Sequence, residues 1–388
     1  MIEFREATPS ELETWDALTV QPAGGHVLQS RAWAQYRSRM GWQPRFLIGS
    51  DGSAVLALLR PWPLIGSASA YISRGPVPNG TIDELAARLA GVTEWLAANG
   101  VDVVASDAEV AAWTGYGDQI AALGYRPIEE IQPSRHHLVL KIGDRLDEEG
   151  AFGNISKSTR QRIHQAERQG IQVVRYDATV EGDDVGPDFH AREESPEVAL
   201  TRFHGFLEAT GRRRRFALTA RSSFLDWSHM AYRAGYLVLL EARDLEDVPF
   251  AGLVLYRHGG RLSTAFSGDE AGARERHPGV FHLLRWRAIQ LAIQEGSVEM
   301  DLGGVDVAGA RDEPQPGEPM FGLYQHKRSF GAEWLELVGA HQRVIRPTRY
   351  LVGRVAARAL GRSQPASSKE AATERGVADD GAEGGAES

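Results

Sequence analysis

One order of elements occurs twice along this 388-residue chain, and that repetition constrains the fold more than any single motif does. In the first half, "RFLIGSDGSAVLALLRPWP" reads as strand, Asp-Gly turn and strand, and "SAYISRGPV" as a third strand ended by Gly-Pro. "TIDELAARLAGVTEWLAANG" then predicts an amphipathic helix capped by Thr81 and stopped by Gly100, followed by the β-branched run "VDVVAS". The second half repeats this order. "YLVLLEARDLEDVPFAGLVLYRHGGRLSTAFSG" gives three strands, "HPGVFHLLRWRAIQLAIQEG" a helix stopped by Gly296, and "SVEMDLGG" a strand. Both helices carry a Trp, Trp95 and Trp286, and "LGYRPIEEIQPSRHHLVLKI" corresponds to "FGAEWLELVGAHQRVI". Antiparallel strands followed by a helix and another strand make an α+β unit with a mixed sheet. Two such units point to duplication, against the alternative that any two α+β stretches align this loosely. The expected domains are 1–142, completed by 333–361 near the C-terminus, and 143–332, with a tail over 362–388.

Length supports this division, because a single core rarely serves a chain of this size. The formal net charge of -9 predicts no global attraction to polyanions, so any phosphate contact has to be local. With no cysteine there are no disulfides, thiolate metal sites or cysteine nucleophiles; no metal site is expected, and a reducing cytoplasm fits. The opening "MIEFREATPSELETW" has acids and no apolar run, so no secretory signal is expected, and no apolar stretch reaches the length of a membrane span. The tail, "RSQPASSKEAATERGVADDGAEGGAES", lacks aromatic residues and is expected to be disordered.

Between the two units, "NISKSTRQRIHQAERQGIQVVRY" predicts a helix ending at Gly170 and then a strand. Lys157, Arg160, His164 and Arg168 fall on one face of it, with Ile155, Thr159, Ile163 and Ala166 turned inward. The basic face is either a solvated surface or a docking surface for a phosphate backbone.

The repeated order resembles the acetyltransferase (GNAT-like) fold, in which a pyrophosphate loop of small residues precedes the helix. Here the corresponding "RHPGVF" keeps Arg276 and Gly279, but Phe281 stands where Gly or Ala is needed and Pro278 removes an N–H donor. Coenzyme A binding is therefore disfavoured, and no cofactor is expected.

Six stretches together resemble the Fem family (FemA-, FemB- and FemX-like) of non-ribosomal peptidyltransferases, whose members have two acetyltransferase-like domains. "LQSRAWAQYRSRMGW" is similar to the family's opening helix, "YISRGPV" to its Tyr-x-x-Arg-Gly-Pro strand end, and "SKSTRQRIHQAERQGIQV" to its Lys-x-x-Arg helix. "FLEATGRRRRFAL" sets Thr210, Arg213 and Phe216 in register with a Thr-x-x-Arg-x-x-Phe segment. "HPGVFHLLRWRAIQLAIQEGSVEMDLGGV" matches a helix and Asp-x-Gly-Gly strand end, and "HKRSFGAEW" the closing Phe-Lys-x-x-Phe-Gly motif. His326 departs from the aromatic expected before that Lys, and Phe266 from a frequent Tyr. Residues 177–200 are too acidic and irregular for the long coiled-coil arm of some members.

The resemblance implies an aminoacyltransferase that moves an amino acid from aminoacyl-tRNA, as co-substrate, to the stem-peptide amine of a peptidoglycan precursor, UDP-MurNAc-pentapeptide or lipid II. Lys327 is then the cation for the tetrahedral intermediate. Arg37 and Arg213 are the matched positions for diphosphate contacts, Thr210 adds a hydroxyl, and Arg328 turns toward a carboxylate or phosphate. The face Lys157, Arg160, His164 and Arg168 becomes a tRNA contact. Arg74, Trp33 and Trp286 read as structural. His164, His277, His282 and His326 are all candidate bases, Asp301 reads as a turn cap, and the vicinal hydroxyl of the tRNA could shuttle the proton instead. "RPTRYLVGRVAARALGR" predicts a helix after Pro347 that either packs on the first domain or touches the anionic inner leaflet. Nothing requires more than a monomer. The competing readings are an acyl-CoA-dependent N-acyltransferase of another amine and a non-enzymatic RNA-binding module.

Overall fold

The computed structural model describes residues 2–360 except 64, 133–134, 144–145, 181–183, 215–217, 219, 306–311 and 319. The tail expected over 362–388 and Phe216 lie outside the described residues. Among the described residues fourteen strands, β1 to β14 in chain order, form two seven-stranded sheets. The first sheet holds β1 (Phe4–Glu6), β2 (Gln43–Gly49), β3 (Ala54–Pro61), β4 (Ala68–Ile72), β5 (Val101–Ser106), β6 (Arg126–Pro127) and β14 (His341–Val344). The second holds β7 (His136–Lys141), β8 (Gln172–Asp177), β9 (Leu237–Arg243), β10 (Pro249–His258), β11 (Arg261–Asp269), β12 (Glu299–Asp301) and β13 (Glu333–Glu336).

The spatial orders are β1-β2-β3-β4-β5-β14-β6 and β8-β9-β10-β11-β12-β7-β13. Position by position, the two sheets are built alike. Four antiparallel strands come first, then a parallel step from β4 to β5 or from β11 to β12, then an antiparallel neighbour. Each parallel step is carried by a helix, Ile82–Ala98 in the first sheet and Val280–Gln294 in the second, as a parallel crossover demands. The sixth strand of each sheet comes from a distant part of the chain: β14 follows the second unit, and β7 precedes the body of it.

Contacts divide the chain between Arg135 and His136 and again between Leu335 and Glu336. The boundary read at 142 thus moves back, because β7 pairs with β12 rather than with the first sheet. Likewise β13, placed with the first domain in the sequence reading, extends the second sheet.

Local chemistry explains the elements. Thr81 and Glu84 form a reciprocal capping box at the first crossover helix, and Ser156 caps helix Lys157–Arg168. Every residue of β9 is buried, as its near-continuous apolar run requires of a central strand. The first core gathers Leu47, Ile72, Leu89, Leu96, Val104 and Tyr125. The second gathers Ile163, Leu240, Leu253, Leu284, Ile289 and Phe330. Trp33 and Trp286 are buried, and Arg74 holds a left-handed turn through Asp107 and Glu109.

Candidate active site

The closing motif folds as helix Phe321–Arg328, and its two adjacent cations part company. Lys327 points inward and is 1% exposed, its Nζ donating to the Gly304 carbonyl at 2.8 Å. Gly303, at φ 77°, makes that approach feasible, since a Cβ there would stand 3.3 Å from the ammonium. Arg328 points outward, pairs with Glu313 at 3.3 Å and donates to the Tyr324 hydroxyl at 2.6 Å. Strictly alternating exposure would not separate neighbours so cleanly on a helix; burial of one face does.

The loop after β12 is fixed from three sides. Asp301 Oδ1 accepts from the Gly303 N–H at 2.7 Å, so it caps the turn as its position suggested. His136 Nε2 accepts from the Val305 N–H at 2.9 Å while its ring stacks on Trp334, and Lys327 holds Gly304 between them. The other oxygen of Asp301 binds His137 Nδ1. A carboxylate at Nδ1 selects the tautomer whose basic nitrogen is Nε2. Sequence reasoning missed His137. The visible signal was the doublet His136-His137 on an alternating strand, but the β7–β12 pairing that brings it to Asp301 spans more than 160 residues.

Next to Lys327, His326 departs from the aromatic expected there, and the structure supplies a reason. Its Nε2 accepts from Nε of Arg285, a guanidinium with no exposed surface, at 3.0 Å. Burial, followed by the nearby His282, Arg285 and Lys327 charges, holds His326 well below the ordinary histidine range. Burial and the cations Arg162, Arg285 and Arg274 push His282 down to about 3. Burial and Arg274 bring Arg285 down to about 9. A neutral imidazole thus fills an aromatic slot, packs edge-on against Phe330 and still accepts a hydrogen bond. That bond occupies the lone pair a base would need. His277 stacks on Phe250 and is lowered by burial, and His164 bonds Glu167 on the surface.

A second polar cluster surrounds the Asp269 carboxylate at the end of β11. Arg213 pairs with it at 2.6 Å, Arg274 at 3.2 Å, and buried Thr210 bonds it at 3.2 Å. Arg213 remains a third exposed at its side chain. In the first unit Arg37 is buried between indoles, 4.7 Å from the Trp42 ring centre and 5.3 Å from Trp33. On helix Lys157–Arg168, Lys157, His164 and Arg168 are exposed, with Thr159, Ile163 and Ala166 buried as expected. Arg160 turns instead to the carbonyls of Gly153 and Ile155, closing the preceding helix Glu148–Asn154.

The "RHPGVF" loop is occupied by the protein itself. The backbone carbonyl of Arg162 packs where a side chain on Gly279 would stand, Arg276 pairs with Glu270, and Arg274 lies 4.6 Å over the Phe281 ring. Among the described residues no group of side chains is arranged to hold a metal ion, and no helix is long and apolar enough to cross a membrane.

Two mixed sheets, each with a crossover helix, define a tandem acetyltransferase-like fold, and the Lys327 loop lies in the half that carries the family signal. Residues 231–358 match the FemAB family model. FemX has a similar structure, with a TM-score of 0.72 at 17% identity over 90% of this chain and 99% of that one. A conserved protein of unknown function from Bacteroides thetaiotaomicron gives 0.53 at 11% identity, over 88% and 99% of the two chains. L-PGS from Bacillus licheniformis gives 0.51 at 13%, over 91% and 98%. These likenesses establish the fold. No curated protein sequence matches.

Proposed function

We propose that the protein is an aminoacyltransferase that takes an amino acid from aminoacyl-tRNA and joins it to the stem-peptide amine of a peptidoglycan precursor, in the cytoplasm and without a cofactor. The observation that carries this reading is the buried ammonium of Lys327 on the Gly304 carbonyl, within the segment that matches the FemAB family. A blocked loop beside Phe281 supports an acyl donor other than coenzyme A.

The chemistry is aminolysis of an ester. The amine nitrogen bonds to the carbonyl carbon, the carbonyl oxygen gathers negative charge, and the ester C–O bond breaks to release the ribose hydroxyl. Lys327 stabilises the charged oxygen, and a dry, preorganised cation there contributes several kcal/mol, roughly 3. His137, oriented by Asp301, accepts the proton from the attacking amine at Nε2 and returns it to the leaving oxygen, so no net proton is consumed. Asp269, Thr210, Arg213 and Arg274 form a polar patch whose exposed arginine suits a diphosphate. Arg37 keeps its role as a diphosphate contact only if the indoles around it open, and Arg328 serves the acceptor from the surface. Exposed Lys157 and Arg168, with His164 beside them and Arg160 bracing their helix, contact the tRNA backbone.

The test is transfer of labelled amino acid from charged tRNA to a muramyl-pentapeptide acceptor. The account expects product that disappears after ribonuclease treatment; equal transfer after that treatment contradicts it. His137→Gln and Asp301→Asn should both lower kcat about a hundredfold, leaving acceptor affinity unchanged. An undiminished kcat removes His137 from the mechanism while leaving the transfer itself intact.

A further inference from the structure

The last helix, Pro347–Ala359, has two apolar faces, and the fold buries one of them. On the inner face Gly353 and Ala357 lie against Trp62, so closely that a Cβ on Gly353 would stand 2.6 Å from the indole. On the outer face Leu351 is 62% exposed, Val352 51% and Val355 60%, with Leu360 just beyond the helix at 56%. Positions 351, 352, 355 and 359 form one stripe at helical spacing. Arg349 flanks it on one side, and Arg354 and Arg358 flank it on the other.

Charge around this stripe runs against that of the chain. From Leu337 to Ser368 there are six arginines and no carboxylate, in a protein of formal net charge -9. Arg343 pairs with Glu94, and Arg346 and Arg349 reach Asp102. Arg354 lies over the Tyr350 ring, and neither it nor Arg358 pairs with a carboxylate among the described residues. Exposed apolar side chains in a single stripe cost stability in water unless something covers them. The cover has to be apolar opposite the stripe and anionic opposite both flanks.

We infer that this helix lies in the interface of an anionic lipid bilayer, with Leu351, Val352 and Val355 inserted and the flanking arginines at the headgroup phosphates. The helix is already formed and packs closely on Trp62, so it presents the stripe without folding on contact. The inference stands on this helix alone and requires nothing of the proposed chemistry. Taken with it, it favours an acceptor that is itself lipid-linked.

Cosedimentation of the full chain with vesicles tests this, using phosphatidylcholine alone and phosphatidylcholine mixed with phosphatidylglycerol. Binding is expected only to the anionic vesicles. Leu351→Asp with Val355→Asp should abolish it, and Arg354→Gln with Arg358→Gln should weaken it about thirtyfold. Leu351, Val355 and Arg358 are exposed and Arg354 is half-buried over Tyr350, and unchanged circular dichroism checks that the variants fold. Failure of the unaltered chain to bind, or equal binding by the variants, overturns the inference. So does a dimer that becomes a monomer on Leu351→Asp, which would make a second copy the cover. Binding that appears only when residues 361–388 are removed would make that segment the cover. Transfer to a soluble acceptor is unaffected by either variant, which separates this result from the fate of the catalytic proposal.

Discussion

An ammonium 1% exposed is stable as a charge only where oxygen acceptors replace the water it has lost. Lys327 obtains such an acceptor from Gly304, and the glycine before it leaves the space. Arg285 meets the same demand differently, through an imidazole that has to stay neutral to accept its hydrogen bond. That neutrality has a consequence for stability. Because His326 and His282 titrate below the ordinary value of about 6.5 in the folded chain, the unfolded chain binds more protons as pH falls below it. Stability is therefore complete above that value and declines as pH falls toward 3, by up to about 1.4 kcal/mol per pH unit for each histidine. Urea unfolding across this range should show the decline, and His326→Gln, which keeps an acceptor for Arg285, should remove its share; an unchanged slope contradicts the assignment. The sequence marked Lys327 by its motif and Asp301 by its turn. It could not reveal that His326 replaces an aromatic in order to accept from Arg285, because the partner lies on another helix.

Among the elements, helices show both what patterning reveals and what it conceals. The inward residues of Lys157–Arg168 follow from helical spacing alone, whereas the diversion of Arg160 to the carbonyls of Gly153 and Ile155 depends on a neighbour helix whose end needed acceptors satisfied. Of the two readings offered for the last helix, packing holds for its inner face, and leaflet contact is the proposal made for its outer one. Gly353 decides how closely the inner face can approach. Gly353→Ala should press a methyl group into Trp62 and cost about 1–3 kcal/mol by overpacking, read as a fall in Tm. No change would mean that the helix sits loosely enough to lift, and the close packing behind its outer stripe would be lost.

At the scale of the whole molecule, the sequence reading offered the repeat and a first domain completed by 333–361, whereas the order of strands within each sheet was not legible. Strand, helix and turn signals are local, so both halves could be aligned from patterning. The sixth strand of each sheet is supplied by a chain segment far away, and only pairing reveals that β14 lies between β5 and β6 while β7 lies beside β12. A chain ending at Leu335 would leave β5 and β6 unpaired along the β14 edge. Limited proteolysis of it should digest the first unit and spare residues 136–335; protection of the first unit would contradict the role given to β14. The proposed transfer rests on one ammonium. Single-turnover transfer from aminoacyl-tRNA by Lys327→Met, compared with the unaltered protein, tests this most directly. The account predicts a rate lower by about a hundredfold to a thousandfold with unchanged circular dichroism, and an undiminished rate in the folded variant would contradict it.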